Sequence, residues 1–231
     1  MADQPDKRPE LKPETISAAA ARRYWRALMG NIVSLIQAAA WLAEHSPALA
    51  RSLLILSQEE AGKANEVYKR AQVTWTQGEG SVNLDGWFLK MERLHDPKII
   101  ASLDADDQLD PFWGDYSSYE FDPTTTEAAQ YVADERKGRE KHARIVNQRK
   151  QAGFYVDRRG GRITAPQDEV IDDIRDQIIR TAGVAEMLLI TDHTRMQGLA
   201  EDKRDLTHDL QMAVMPYSHP EEFKDWVEKT D

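Results

Sequence analysis

Apolar side chains recur at three- and four-residue steps through Ile16, Ala20, Tyr24, Leu28, Ile32, Leu35, Ala39 and Leu42, which predicts a helix over Thr15–His45. Ser46-Pro47 then reads as an N-cap followed by an N1 proline, so a second helix is expected from Pro47 to about Thr76. The short joint makes the two antiparallel. Beyond the turn-prone Gly78-Glu79-Gly80-Ser81, a third segment covers Asp85–His95, and Asp96-Pro97 restarts helix through Leu103. The stretch Asp104–Pro123 is acidic, aromatic and without period, and is expected to be a long surface loop, the kind of segment that often carries function. Helix resumes at Thr124–Thr126 and runs to about Gln151. Gly153–Asp157 and Arg158–Thr164 read as a small ribbon turning at the Gly160-Gly161 pair, and Pro166 closes it. Further helices are expected over Asp168–Leu199, Arg204–Met215 and Glu221–Glu228. The pattern is all-α, with long antiparallel helices, one β-ribbon and a C-terminal helical extension. The expected division is a disordered tail over 1–14, a helical domain over 15–165, and an extension over 166–231 packed on it.

One position breaks the pattern. On a wheel of 100° per residue, Leu49, Leu53, Leu56, Ala64, Val67 and Ala71 form a single apolar stripe, and Glu60 falls near its middle. Glu60 is therefore expected to be buried, and an unpaired buried carboxylate is costly, so Lys63 one turn later is its expected partner. Such a pair either fixes packing or belongs to a functional site.

Composition narrows the chemistry. The chain has 231 residues, no cysteine and six histidines, which removes thiolate nucleophiles, disulfides and cysteine-based zinc sites. With no HExxH pair, neither a catalytic metal centre nor a cofactor is expected, with carboxylate-held magnesium the one alternative left open. No run of apolar residues is long enough for a membrane span, and the polar, proline-rich start lacks a signal peptide, so a cytoplasmic protein is expected. The net charge of −10 argues against constitutive coating of nucleic acid, yet residues 136–162 carry ten basic and only two acidic side chains. That island could track a phosphate backbone through Arg139, Arg144, Arg149 and Lys150, or simply neutralise its acidic neighbours. The six tryptophans are expected to pack, except that Trp113, with Tyr116, sits where a protein partner could dock.

The motifs taken together resemble a known family. A long first helix, a second with Leu56-Ser57-x-Glu59-Glu60-x-Gly62-Lys63, the spaced set Phe88, Arg93, His95 and Lys98, and Arg149-Lys150-x-x-Gly153-Phe154-Tyr155-Val156-Asp157 look like the AbiV family of bacterial abortive-infection proteins, within the HEPN superfamily. The resemblance covers roughly residues 15–160. It implies a HEPN-like helical bundle that forms a homodimer and serves as a phage-defence effector. Such an effector would be a metal-independent ribonuclease or a toxin acting on RNA or translation, activated on infection, for instance by a phage-encoded protein. HEPN members that cut RNA use an Arg-x4–6-His motif assembled across a twofold axis, and the one formal match here is Arg136 with His142. On a continuous helix those two point about 120° apart.

Arg93, His95 and Lys98 are the second candidate cluster. Arginine and lysine donate to phosphate oxygens and histidine moves a proton near neutral pH, an inventory sufficient for cleavage with the RNA 2′-hydroxyl as nucleophile. His45, His193, His208 and His219 have no convergent partners by sequence and are read as structural or surface residues. Two other classes remain open: a non-catalytic interaction module built on Glu60, Lys63 and the basic helix, and a helical bundle that binds a small anionic ligand.

Overall fold

The computed structural model describes residues 12–116, 126–159 and 161–227, with side chains throughout except at 126–133, 159 and 224–227. The expected tail over 1–14 and the end of the predicted loop over 104–123 fall largely outside these residues. The chain opens with a short strand, β1 (Glu14–Ser17), followed by α1 (Ala18–Leu42), α2 (Pro47–Gln77) and β2 (Ser81–Leu84). The first helix thus starts three residues later than its periodicity predicts, because Glu14–Ser17 pair antiparallel with Ser81–Leu84 in the register Glu14↔Leu84 to Ser17↔Ser81. Ser17 then caps α1, its hydroxyl accepting from the Ala20 amide at 3.2 Å. Gly78 ends α2 in the left-handed region at φ +80°, and Gly80 at φ +107° turns the chain back into β2. This second ribbon was invisible to periodicity, since each strand has only four residues.

Next come α3 (Gly86–Arg93), capped by the Asp85 carboxylate accepting from the Phe88 amide, α4 (His95–Asp106) and the single turn α5 (Leu109–Phe112). Part of the predicted loop after Asp104 is therefore helical. The basic island lies on α6 (Thr126–Phe154), which leads into the ribbon β3 (Asp157–Arg159) and β4 (Arg162–Thr164). The chain finishes with α7 (Ile174–Gln197), α8 (His208–Ser218) and α9 (Pro220–Val227). Pro216 sits inside α8 rather than after it. The fold is the expected all-α bundle with minor β-ribbons.

The main core is built by α1, α2 and α7, with Trp25, Ile32, Ile36, Leu54, Val67 and Leu189 fully enclosed. Every residue of α7 from Thr181 to Leu189 is buried, as expected of a helix surrounded on all sides. α7 and α8 contribute Ala185, Leu189 and Val214 to the same core as α1, so packing does not divide at residue 165. Among the described residues no helix is long and apolar enough to cross a membrane. Of the tryptophans expected to pack, Trp25 and Trp75 do, whereas Trp41 and Trp87 are exposed, as is Trp113.

Two glycines set the spacing of the other layer. A Cβ on Gly62 would lie 2.6 Å from the Lys98 carbonyl oxygen and 2.7 Å from the Ser102 amide, so only glycine lets α4 rest on α2 at this point. A Cβ on Gly153 would collide with the Ser52 hydroxyl and the Ala48 carbonyl, so the end of α6 is pressed equally close to the start of α2. The Ser52 hydroxyl also donates to the Lys150 carbonyl at 2.8 Å. A small apolar cluster of Ile55, Ile99, Ala143 and Val146 fills the space between α2, α4 and α6.

Candidate functional site

The close approach of α4 and α6 to α2 brings one residue from each helix together. Glu59 of α2 has a carboxylate only 3% exposed, with Oε2 at 3.0 Å from His95 Nδ1 of α4 and Oε1 bonded to the Lys150 ammonium of α6. Lys150 Nζ lies 2.9 Å from His95 Nδ1. Lys150 is 6% exposed, whereas His95 is half open to solvent at 51%. Burying an ion pair is tolerable only when both charges are well partnered, and here each is.

Nδ1 faces both the Glu59 carboxylate and the Lys150 ammonium, so each neutral tautomer of the imidazole satisfies one of the two contacts. With the proton on Nδ1, the ring donates to Glu59 and leaves a lone pair on Nε2. With the proton on Nε2, Nδ1 accepts from Lys150 and Nε2 presents an N–H. Nε2 has no hydrogen bond among the described residues. A ring that finds an internal partner in both states can take a proton and return one.

Cations gather around this ring. Lys98, one turn along α4 from His95, makes no ion pair among the described residues. Its pKa is lowered, first by burial and then by the Lys63 charge, against the opposing pull of Glu59 and Glu60. Lys63 pairs with Glu60 at 2.6 Å as the spacing predicts, but Glu60 is only partly buried. The deeply buried carboxylate is its neighbour Glu59. The wheel missed it because α2 is packed on more than one side: Ala48, Ser52, Ile55, Glu59 and Gly62 form a second stripe of mostly small residues that faces α4 and α6. Tyr24 was also missed. Its hydroxyl donates to Glu92 at 2.6 Å, and its pKa is raised by burial, then by Glu92 and Glu60, so it stays protonated beside the cluster.

The other sequence candidates are placed differently. Arg93 ends α3 in the open and takes no part in the contact between His95 and Glu59. α6 is unbroken between Arg136 and His142, so the two remain about 120° apart within one chain. Arg136 is 83% exposed and lies 3.6 Å from Glu140, and His142 is exposed two turns from Lys150. Arg139, expected as a free cation for RNA, is held by Asp104 at 2.6 Å, by Glu135 at 2.7 Å and by Asp107. Burial alone would lower its pKa, but the hydrogen bonds it donates to Glu135 and Asp107 outweigh this and raise it. Arg144 and Arg149 are exposed as expected. Lys150 is not on the surface at all but inside the site, because it sits one turn from Val146 on the face of α6 that packs against α2. No group of three or more histidine or carboxylate side chains is placed to hold a metal ion among the described residues.

The residues that converge are those that carry the sequence motifs: Glu59 and Gly62 from the first, His95 and Lys98 from the second, Lys150 and Gly153 from the third. Comparison with curated proteins and with solved structures returns no significant match. A family model described as AbiV, a HEPN family, matches residues 20–185, which takes in α1 through α6 and the first half of α7. With that match covering well over half of its length, this chain belongs to the AbiV family of HEPN proteins.

Proposed function

We propose that this protein is an abortive-infection effector that cleaves RNA at the cluster of Glu59, His95 and Lys150 without a metal ion. The observation that carries the reading is a half-exposed imidazole, anchored from inside by a buried carboxylate and flanked by the uncommitted Lys98 ammonium. In the proposed step the 2′-hydroxyl oxygen bonds to the adjacent phosphorus and its proton passes to Nε2 of His95. The bond from phosphorus to the 5′-oxygen breaks, and the departing oxygen takes a proton from Lys98. Burial and Lys63 make that ammonium a readier donor than an ordinary lysine. Its positive charge also offsets the charge that builds on the phosphoryl oxygens. Glu59 and Lys150 act as positioning residues. The family assignment supports the defence role, with activation on infection by a phage-encoded protein and a homodimer that sets two such clusters on one twofold axis. Light scattering tests the dimer.

The direct test is incubation of the purified protein with cellular RNA in EDTA, with and without extract of infected cells. Products ending in 2′,3′-cyclic phosphate and 5′-hydroxyl are expected. Intact RNA in both arms contradicts the reading. The second reading, a non-catalytic module that binds a phage or host protein, is favoured by the exposure of Trp113 and Tyr116 just after α5. It takes over if RNA stays intact while phage protection depends on those two aromatics.

A further inference from the structure

Between α2, α4, α6 and α7 lies a cavity of about 310 Å³ that borders the candidate site without containing it. Its apolar floor is Ile55, Ile99, Val146 and Val184. The first three of these stand one helical turn from Glu59, His95 and Lys150 respectively, which puts the floor about 6 Å along the helices from the triad. The rim carries hydrogen-bonding side chains and the Arg149 charge. His142 and Arg149 line it from α6, both exposed and neither in an ion pair among the described residues. Of the acids in the wall, Asp106 is paired with Arg180 at 2.7 Å, and Asp173 keeps its charge while accepting from the Gln177 amide at 2.8 Å. Arg51 adds a second kind of observation. Its side chain is nine-tenths buried in the cavity wall and is held to Glu169 through one terminal nitrogen, yet its Nε–H has no acceptor among the described residues. A buried donor without an acceptor expects one from an occupant.

A flat apolar body on an aliphatic floor, hydrogen-bonding edges and an anion at the rim are the requirements of a nucleotide unit. Resting on the RNA reading above, we propose that this cavity holds one unpaired nucleotide of the substrate strand next to the cleaved bond, with its base over Ile99 and Val146 and its phosphate between Arg149 and His142. The histidine of the Arg136 and His142 pair is then a binding residue, separate from proton transfer at His95. Single-stranded RNA is favoured by this arrangement, because a paired base must first be unpaired and unstacked to enter.

The test uses a fluorescent 2′-O-methyl single strand, which lacks the 2′-hydroxyl proton and cannot be cut by the proposed route. Its affinity is measured by anisotropy for the wild type and three variants. Gln177→Trp plugs the cavity from α7, a helix that supplies nothing to the triad, and Arg149→Glu reverses an exposed charge without touching the core. Each is expected to weaken binding about tenfold or more. His95→Ala is expected to bind within about twofold of wild type while losing cleavage. In cleavage assays His142→Ala is expected to raise KM and leave kcat unchanged. Wild-type strength binding by both Gln177→Trp and Arg149→Glu overturns the subsite, and so does failure of the wild type to bind the strand. If Gln177→Trp loses a free mononucleotide but keeps the strand, the cavity serves a soluble ligand and the proposal is overturned. Strand binding that depends on Gln177 and Arg149 in a protein that never cuts RNA leaves the subsite standing and removes the nuclease reading. The opposite result removes only the subsite.

Discussion

Among the described residues two buried glutamates each hold a histidine, and the two pairs differ in their surroundings. Glu186 of α7 is as buried as Glu59, and it bonds His219 at 2.8 Å and the Ser218 hydroxyl at 2.7 Å on the same oxygen. His219 is the less exposed of the two histidines and meets the edge of Trp113 at a ring separation of 5.7 Å. That pair pins the junction of α8 and α9 to the core helix α7. At His95 the third partner is instead an ammonium, and Lys63 and Lys98 stand close by. A buried carboxylate holding a histidine is therefore not enough to mark a site of chemistry. The two differ in the lysines near the ring, and on the proposed reading it is these that would meet a phosphate at His95.

The largest expected effect separates the two pairs by stability. Lys150→Met leaves Glu59 buried without its cation and is expected to cost about 3–5 kcal/mol in urea unfolding. An unchanged midpoint would mean that the ammonium contributes nothing at Glu59. Gly153→Ala should cost about 1–3 kcal/mol, because α6 must retreat from Ser52 and Ala48, and the same retreat should draw Lys150 away from Glu59 and reduce cleavage. Full activity in a stably folded Gly153→Ala protein would show that the close approach of α6 is dispensable. For the second pair the loss is smaller: Ser218→Ala removes one hydrogen bond to Glu186 and should cost about 1 kcal/mol with no effect on RNA cleavage.

The smallest effect concerns pH. Lys98 holds its proton less tightly in the folded protein than in the unfolded chain. Between its lowered pKa and the ordinary lysine value of 10.5 the unfolded state binds more protons, so this group makes stability rise with pH across that window. Lys98→Met should flatten the rise in urea titrations at alkaline pH. A profile identical to wild type would show that Lys98 is not strained by its surroundings.

How much of this was legible in the sequence depends on the length of the signal. α2 starts at Pro47 and stops at Gly78 almost to the residue, because an N1 proline and a left-handed glycine act locally, although the Ser46 hydroxyl makes no capping hydrogen bond. The ribbon of β1 and β2 was hidden because four-residue strands give periodicity nothing to work with. On α2 the spacing correctly joins Glu60 to Lys63, but the deeply buried carboxylate is Glu59, since a single stripe cannot describe a helix packed on several sides. The stripe of Ala48, Ser52, Ile55, Glu59 and Gly62 was readable as a surface for close helix packing. That His95 and Lys150 would meet there was not, because the contacts of Glu59 with α4 and α6 span 36 and 91 residues of chain. Lys150 was read with its exposed neighbours, although its position one turn from Val146 places it on the inner face of α6.

The central claim is that His95, held by Glu59 and Lys150, moves the proton in RNA cleavage while the similar pair at His219 does not. Its most direct test is the rate at which wild type, His95→Ala and His219→Ala cut the same single-stranded RNA in EDTA, in the presence of extract from infected cells. The expected result is a loss of about 10²–10⁴-fold for His95→Ala in a protein that still folds cooperatively, and a wild-type rate for His219→Ala. A His95→Ala protein that cuts as fast as wild type would contradict it.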